Sequence, residues 1–558
     1  MKKFLLSIIL ALACQLTFAG RVSFPFPILG GELSNSAATC VEDIDEVMPR
    51  MKALGLNTVL VPAYWEFIEP SEGKWDFTFI DRTIDKAREN DLKVIFLWFG
   101  AWKNSMSCYA PLWFKQDTKR FPRAMTRSGK PLEIASCFSD EVLHADLHAF
   151  SELMKHIAKK DKGTGTVIMM QIENEIGMLE DARDHSPLAE KVYRKEQWAQ
   201  KYGTDVYADE KFMALHYAQY VEHLAQAARR IYDMPLYVNA AMNSRGRKPG
   251  EYPSAGPLVH LIDFWRTGAP SIDILAPDIY DTGFKSWAAQ YAMPLRPQDG
   301  GEVRNQLFIP ESRCCENSGV RALYAFGEHQ ALGFSPFAID QASPQETASV
   351  TQAYALLRQL FPITHHPTPI THHPTPNTPS WGLLFDQQDK ERVILDGDNA
   401  LTCRHYFTLP WDPRATDGST WPEGGAILLR LAKNEYLLAG SGIVVEFKKK
   451  TEKEQEEQKV LGEDGFVEAG ASTTSTTSLT SISSITSTTS SASQASKASS
   501  ASFRGKRLGI GFVDEVSIGE QGQLTYLRRH NGDQDHQGRH ARISVGDWKI
   551  LHIKLYEY

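Results

Sequence analysis

Thr166-Val-Ile-Met-Met-Gln-Ile-Glu-Asn-Glu-Ile-Gly177 is an almost wholly apolar run that ends in two acids and an amide. It lacks the in-out alternation of a half-solvated strand, so it reads as a strand covered on both faces, as in a parallel sheet flanked by helices. Carboxylates at the mouth of such a strand cost desolvation free energy, which disfavours chance placement. The bland alternative is a helix N-terminus, where a Glu is favourable anyway. Working outward, seven more runs share the pattern: Phe24–Leu29, Thr58–Ala63, Lys93–Trp98, Leu236–Ala240, Ile272–Ile279, Gln306–Pro310 and Gly333–Ile339. Amphipathic segments separate them. Thr39-Cys40-Val41-Glu42 fits a capping box, followed by a stripe of Val41, Ile44, Val47, Met48, Met51 and Leu54 that Gly55 can close. A second helix is predicted near 140–160, with Val142, Leu143, Leu147, Phe150, Leu153, Met154 and Ile157 on one face. Eight buried strands alternating with helices predict a (β/α)8 barrel over residues 20–360.

Past residue 360 the pattern changes. ITHHPTP at 363–369 recurs at once at 370–376, which reads as an extended linker over 361–380. Short alternating runs then follow at Gly382–Phe385, Arg392–Leu395, Ala426–Leu431, Tyr436–Ala439 and Gly442–Phe447. They predict an antiparallel β-sandwich over 381–558. Residues 472–500 are roughly three-quarters Ser and Thr, too poor in apolar side chains to fold. Because strand patterns resume at Leu508–Val513 and Lys549–Tyr556, the segment at about 467–503 reads as a disordered insertion inside one β-domain.

The 558 residues carry a net charge of −8, which leaves no basic footprint for nucleic acid. Lys2 and Lys3, the apolar run Phe4–Ala13 and the small residues around Ala19 predict a signal peptide over 1–19, hence a secreted or periplasmic protein. The segment Leu10–Cys14 leaves lipoprotein anchoring through Cys14 as an alternative. The apolar run Phe4–Ala13 is too short to span a bilayer. Of the remaining cysteines, Cys108 and Cys137 are the expected pair, and no Cys or His spacing indicates zinc. Neither metal nor cofactor is expected, and the sequence leaves the oligomeric state open.

Cleaving a glycosidic bond takes two carboxyl groups flanking the anomeric carbon, one protonated and one ionised. In a barrel they belong at the C-terminal ends of strands. Two places qualify: Glu173-Asn174-Glu175 after the fourth run, and Glu311 in Gln306-Leu-Phe-Ile-Pro-Glu311-Ser-Arg313 after the seventh. The two strand ends face each other across a barrel mouth. Arg313 is a possible charge partner of Glu311, or only a surface residue.

An Asn-Glu ending strand four and a Glu ending strand seven resemble the clan A glycoside hydrolases. QIENEIG at 171–177 resembles a segment of the family 35 β-galactosidases. Ala63-Tyr-Trp-Glu-Phe-Ile-Glu-Pro70 and Ser71-Glu-Gly-Lys-Trp-Asp-Phe77 are similar to segments of families 35 and 42. Gly100-Ala-Trp-Lys-Asn104 and Ala110-Pro-Leu-Trp-Phe114 sit where those enzymes carry a galactose-binding loop. The C-terminal part resembles the β-domain of some bacterial family 35-like proteins. The resemblance implies Glu175 as acid/base, with Glu173 as its competitor, and Glu311 as nucleophile. It implies Asn174 on the sugar 2-hydroxyl and Tyr280 hydrogen-bonded to Glu311, although a Tyr at a strand end can also be packing. Tyr64, Trp65, Trp98, Trp102 and Asn104 are candidates for a sugar platform, with core packing as the alternative. Two departures concern the sugar rather than the mechanism: Glu66 stands where the family has Asn, and the Glu of its strand-three loop has no counterpart in Gly100–Asn104. The expected activity is retaining, exo-acting release of terminal β-linked galactose from a carbohydrate substrate. Another clan A β-glycosidase or endo-glycanase, or a non-catalytic carbohydrate-binding protein, are the alternatives.

Overall fold

The computed structural model describes residues 22–242, 246–280, 282–292, 305–365, 379–450, 507–530 and 540–558. The signal segment, the ITHHPTP repeat from residue 366 and the Ser/Thr-rich insertion lie outside the described residues. Eight parallel strands close a barrel: β1 (Ile28–Glu32), β2 (Thr58–Tyr64), β3 (Lys93–Phe99), β4 (Val167–Gln171), β5 (Leu236–Ala241), β6 (Ile274–Ile279), β7 (Phe308–Ser312) and β8 (Gly333–Pro336). β1 pairs with both β2 and β8, so no edge is left open. Every residue of β2, β6 and β7 is buried, as the unbroken apolar runs require.

Several boundaries differ from the sequence reading, and the differences matter at the mouth. β1 begins at Ile28 rather than at Phe24 and extends to Glu32, which carries an acid to its C-terminal end. β7 is displaced two residues from the predicted run, so Glu311 lies within the strand instead of just after it. The capping box does not form. Thr39 Oγ1 donates to the Ser36 carbonyl (2.9 Å), and the helix Val41–Ala53 starts from an extended Cys40 without a side-chain cap. Gly55 does close that helix region in a left-handed conformation, φ +81°. The predicted second helix is Asp140–Lys160, capped by Ser139, whose Oγ accepts from the Val142 amide. Between β3 and this helix the chain makes a short helix, Leu112–Gln116, and a hairpin of Arg123–Met125 with Pro131–Ala135. The cysteine pairing is corrected as well: Cys108 and Cys137 are both free thiols.

The last barrel helix, Pro344–His365, runs five residues into the segment read as linker, with Pro362 inside it. Beyond come two antiparallel sheets. The larger has six strands in the order β9 (Ser380–Phe385), β12 (Gly424–Ala432), β13 (Glu435–Ser441), β18 (Lys549–Glu557), β15 (Leu508–Ile518) and β16 (Leu524–Arg529). The smaller has four, in the order β10 (Glu391–Asp396), β11 (Asn399–His405), β14 (Ile443–Lys449) and β17 (His540–Ile543). The two-residue periodicity of the large sheet is used on both faces. Ala426, Leu428, Tyr436, Leu438, Leu551 and Ile553 pack with Leu401, Cys403 and Val445 of the small sheet. The alternate residues Ile427, Leu429, Leu437, Ala439 and Ile550 join the core of the barrel. The helix Ser318–His329 lies in that junction, where Arg321 pairs with Glu423 at 2.6 Å and Ser380 Oγ donates to the Gly327 carbonyl at 2.7 Å.

Candidate active site

The C-terminal ends of the barrel strands converge on a cluster of carboxyl groups. Glu175, Asp278 and Glu311 each place an oxygen within 4.8 Å of the other two. Asp278 and Glu311 are buried and Glu175 is half-buried. Glu32, buried at the end of β1, is a fourth member. Its Oε1, Asp278 Oδ1 and Glu311 Oε2 have no protein partner. An all-oxygen set of this kind suits only a hard cation. It equally suits a site that must hold protons and receive polar ligand atoms.

Backbone geometry places Glu175. Glu173 and Glu175 both adopt left-handed φ, +56° and +45°, which side chains with a Cβ rarely take. That strain is held by specific bonds. The Glu175 amide donates to Asn239 Oδ1 (2.9 Å), and Asn239 Nδ2 donates to Asp278 Oδ2 (2.7 Å). Strands β4, β5 and β6 are thereby tied at the mouth. The alternation also separates the two glutamates. Glu173 is fully buried and turned toward the β3 loop, where its Oε2 accepts the Trp102 amide (2.8 Å). Burial and its neighbour Asp146 hold the Glu173 carboxyl well above the usual range. It is Glu175 whose carboxyl oxygen approaches that of Glu311.

Tyr280 donates its hydroxyl to Glu311 Oε1 at 2.5 Å. Arg313 does not reach Glu311; its guanidinium lies over the Tyr280 ring, 5.9 Å from the centroid. Burial pushes Glu311 up to about 7, and Glu175 adds to this, while Lys103 and the Tyr280 hydroxyl pull it down. Glu32 and Asp278 are raised well above the carboxylate range, first by burial and then by Glu311. Such closely placed acids cannot all ionise near neutrality, so the cluster retains protons there.

Asn174 is fully buried and its Oδ1 accepts from Lys103 Nζ (2.8 Å), while its Nδ2 has no partner. Asn104 is exposed, holds φ +51°, and accepts from the same ammonium through Oδ1 (2.6 Å). The other aromatic candidates are corrected. Trp65, Trp98 and Trp102 are completely buried and Tyr64 is 2% exposed, so none offers a face to a sugar. Trp65 Nε1 donates to Glu69, Trp98 Nε1 to Asp146 and the Tyr64 hydroxyl to the Asn35 carbonyl. Trp102 stands edge-on to Tyr217 and Tyr220. They form the wall behind the loop that carries Lys103 and Asn104, where large buried area fixes a backbone rather than a ligand.

Glu32, Asp278, Asn239 and Lys103 were not singled out from the sequence. The misplaced start of β1 hid Glu32 inside Gly30-Gly31-Glu32-Leu33, and Asp278 lay unremarked in the Ala276–Tyr280 run. An acid or amide two or fewer residues from a strand terminus was the available signal for both.

Paired acids at the mouth of a closed parallel barrel are what cleavage of a glycosidic bond requires of this fold. Two parts of the chain match known families. Residues 37–226 match the glycoside hydrolase family 42 model, described as "Beta-galactosidase", and residues 350–542 match one described as "Domain of unknown function (DUF5597)". Each match covers less than half of the chain, the first within the barrel and the second from its last helix into the β-domain. Solved structures similar to it include the β-galactosidase from Bacillus circulans sp. alkalophilus, at 15% identity and TM-score 0.46, over 60% of this chain and 56% of that one. The psychrophilic Marinomonas ef1 β-galactosidase matches at 14% and 0.43, over 59% of each chain. The polyextremophilic β-galactosidase of the Antarctic haloarchaeon Halorubrum lacusprofundi matches at 14% and 0.44, over 61% of this chain and 59% of that one. The chain therefore spans under two thirds of the length of each. Among the described residues no helix is long and apolar enough to cross a membrane.

Proposed function

We propose that the protein is a retaining, exo-acting glycoside hydrolase that releases terminal β-linked galactose, and that it is exported. The observation that carries the mechanism is that one oxygen of Glu175 and one of Glu311 lie within 4.8 Å, an approach that favours the shorter of the two carboxyl separations glycosidases use. Retaining pairs lie about 5–5.5 Å apart, whereas inverting pairs need roughly 6.5–9.5 Å to admit a water. Glu311 attacks the anomeric carbon while Glu175 protonates the departing oxygen, and Glu175 then activates the water that hydrolyses the glycosyl-enzyme. The unpartnered Nδ2 of Asn174 is the donor for the sugar 2-hydroxyl, and Tyr280 holds Glu311 for attack. Galactose is favoured by the family of the barrel domain. A mouth that gathers four acids and one lysine favours an uncharged sugar over a uronate.

One observation favours a second reading in which the two glutamates exchange roles: Glu311 is raised to about 7, the direction expected of a proton donor. Azide rescue separates them. With an aryl β-galactoside carrying a good leaving group, Glu175→Ala should accumulate glycosyl-enzyme, and azide should restore turnover as the β-glycosyl azide. Glu311→Ala should give the α-anomer. The reverse pattern assigns the nucleophile to Glu175. A wild-type protein that cleaves none of the galacto-, gluco- and arabinopyranosides would overturn the proposal.

A further inference from the structure

Lys103 is out of place by ordinary rules. Its side chain is 4% exposed and sits in a loop at the barrel mouth, with the ammonium 5.0 Å from the centre of the Phe99 ring. Among the described residues no carboxylate forms an ion pair with it within 4.0 Å; its bonds go to the side-chain carbonyls of Asn104 and Asn174. A buried ammonium without a contact ion pair is costly and retained where its charge is used.

Two uses follow from the geometry. An ammonium only donates, so the Asn174 amide must turn its oxygen toward Lys103. This removes the two-fold ambiguity of the amide and leaves Nδ2 as a donor, buried and unpartnered. The second use is electrostatic. Around Glu311 stand Glu175 after β4, which raises it, and Glu32 from β1, Tyr237 from β5, Asp278 from β6 and Tyr280 just after β6, each of which Glu311 raises in turn. All are acids or phenols. Lys103 supplies the opposing positive charge at both Glu311 and Glu32, and its field also reaches the Cys108 thiol.

We propose that Lys103 is the positioning residue of this site: it fixes the Asn174 amide with its donor end free for the substrate, and it is the buried cation that offsets the negative charge of the acids at the mouth. The inference rests on the reading of Glu311 as nucleophile and adds to it a residue that touches neither the nucleophile nor the bond that breaks. It also accounts for the loop Gly100–Asn104, where the resembling enzymes carry a carboxylate and this chain carries a cation.

The test compares Lys103→Gln, Lys103→Met and Lys103→Arg in the full chain, using pH profiles of kcat/KM for an aryl β-galactoside. Removing the charge should move the acid limb upward by about half a pH unit or more in both Gln and Met. Arg should leave it near the wild-type position. The Gln amide can still donate to Asn174, so discrimination between the galactoside and its 2-deoxy analogue should persist in Gln and shrink several-fold in Met. An unmoved acid limb in folded Lys103→Gln, or an equal shift in Arg and Gln, overturns the charge role. Unchanged 2-deoxy discrimination in Met overturns the orienting role. Should the wild type cleave no glycoside, the proposed function fails, and the charge role is read instead from the Glu311 carboxyl by 13C NMR titration, assigned with Glu311→Gln. The same midpoint in wild type and Lys103→Gln would sink it there.

Discussion

At the scale of single residues, the site is a stability liability held in place by the rest of the barrel. Glu311 is 5% exposed and its carboxyl is raised from 4.5 to about 7, because burial and then Glu175 penalise the ionised form. A carboxyl raised on folding stabilises the folded protein least where it must ionise. The folded state therefore loses stability as pH climbs from the ordinary carboxyl value through about 7. Glu311→Gln removes that loss, which is on the order of 2–3 kcal/mol because the charge is shared with its neighbours. The variant should melt higher than wild type, by a margin small at pH 5 and largest near pH 8, in calorimetric scans at matched ionic strength. A constant margin across that range would contradict the linkage. The positions of Glu175, Glu311, Asn174 and Tyr280 were legible because each ends an apolar run. Glu32 and Lys103 were not, because what places them is a strand start and a loop path. The tryptophans misled for a related reason, since a large ring near a barrel mouth serves the wall as readily as the ligand.

At the scale of elements, strand identity was more legible than strand limits. All eight barrel runs and seven strands of the β-domain follow from apolar patterning. Three were missed: Asn399–His405, Leu524–Arg529 and His540–Ile543. The first is interior to the small sheet, yet its Asn, Thr, Arg and His break the pattern, and its hairpin turn at Gly397-Asp398 was the readable signal. Leu524–Arg529 is an edge strand with five exposed residues in succession at its end, so burial left no trace in its sequence. Where elements meet, glycine decides the approach. A Cβ on Gly382 would lie 2.6 Å from the Glu328 amide nitrogen and 2.6 Å from the Tyr324 carbonyl, both backbone atoms that cannot rotate away. Gly382→Ala should therefore push β9 off the helix Ser318–His329 and cost about 1–3 kcal/mol. The expected readout is a melting temperature lowered by several degrees, with the Glu311 pH profile unchanged, since the contact lies on the outer side of the barrel. An unchanged melting temperature would mean that sheet and helix are not rigidly docked.

For the whole molecule, the decisive fact is that one hydrophobic core crosses from barrel to β-domain. Ile427, Leu429, Leu437, Ala439 and Ile550 of the large sheet belong to the same cluster as Val320 and Leu323 of the barrel helix Ser318–His329. Ion pairs fringe it, with Arg321 against Glu423 and Arg392 against Glu328 at 2.9 Å. A sheet packed on both faces cannot be removed without exposing a broad apolar surface on the barrel. The chain should thus behave as one cooperative unit despite matching two family models. The insertion at 467–503 differs, because its composition is too poor in apolar side chains to build a core and a shorter connection changes closure entropy only slightly. Two deletions make the contrast measurable. Ending the chain at residue 379 should yield aggregated or poorly folded protein, with no sharp calorimetric transition and no glycosidase activity. Deleting 467–503 should leave one transition within a degree or two of the intact chain and hydrolysis essentially unchanged. A soluble, active barrel from the first deletion would refute the shared core as a determinant of folding, and a large loss of folded yield from the second would show that the insertion packs against the protein.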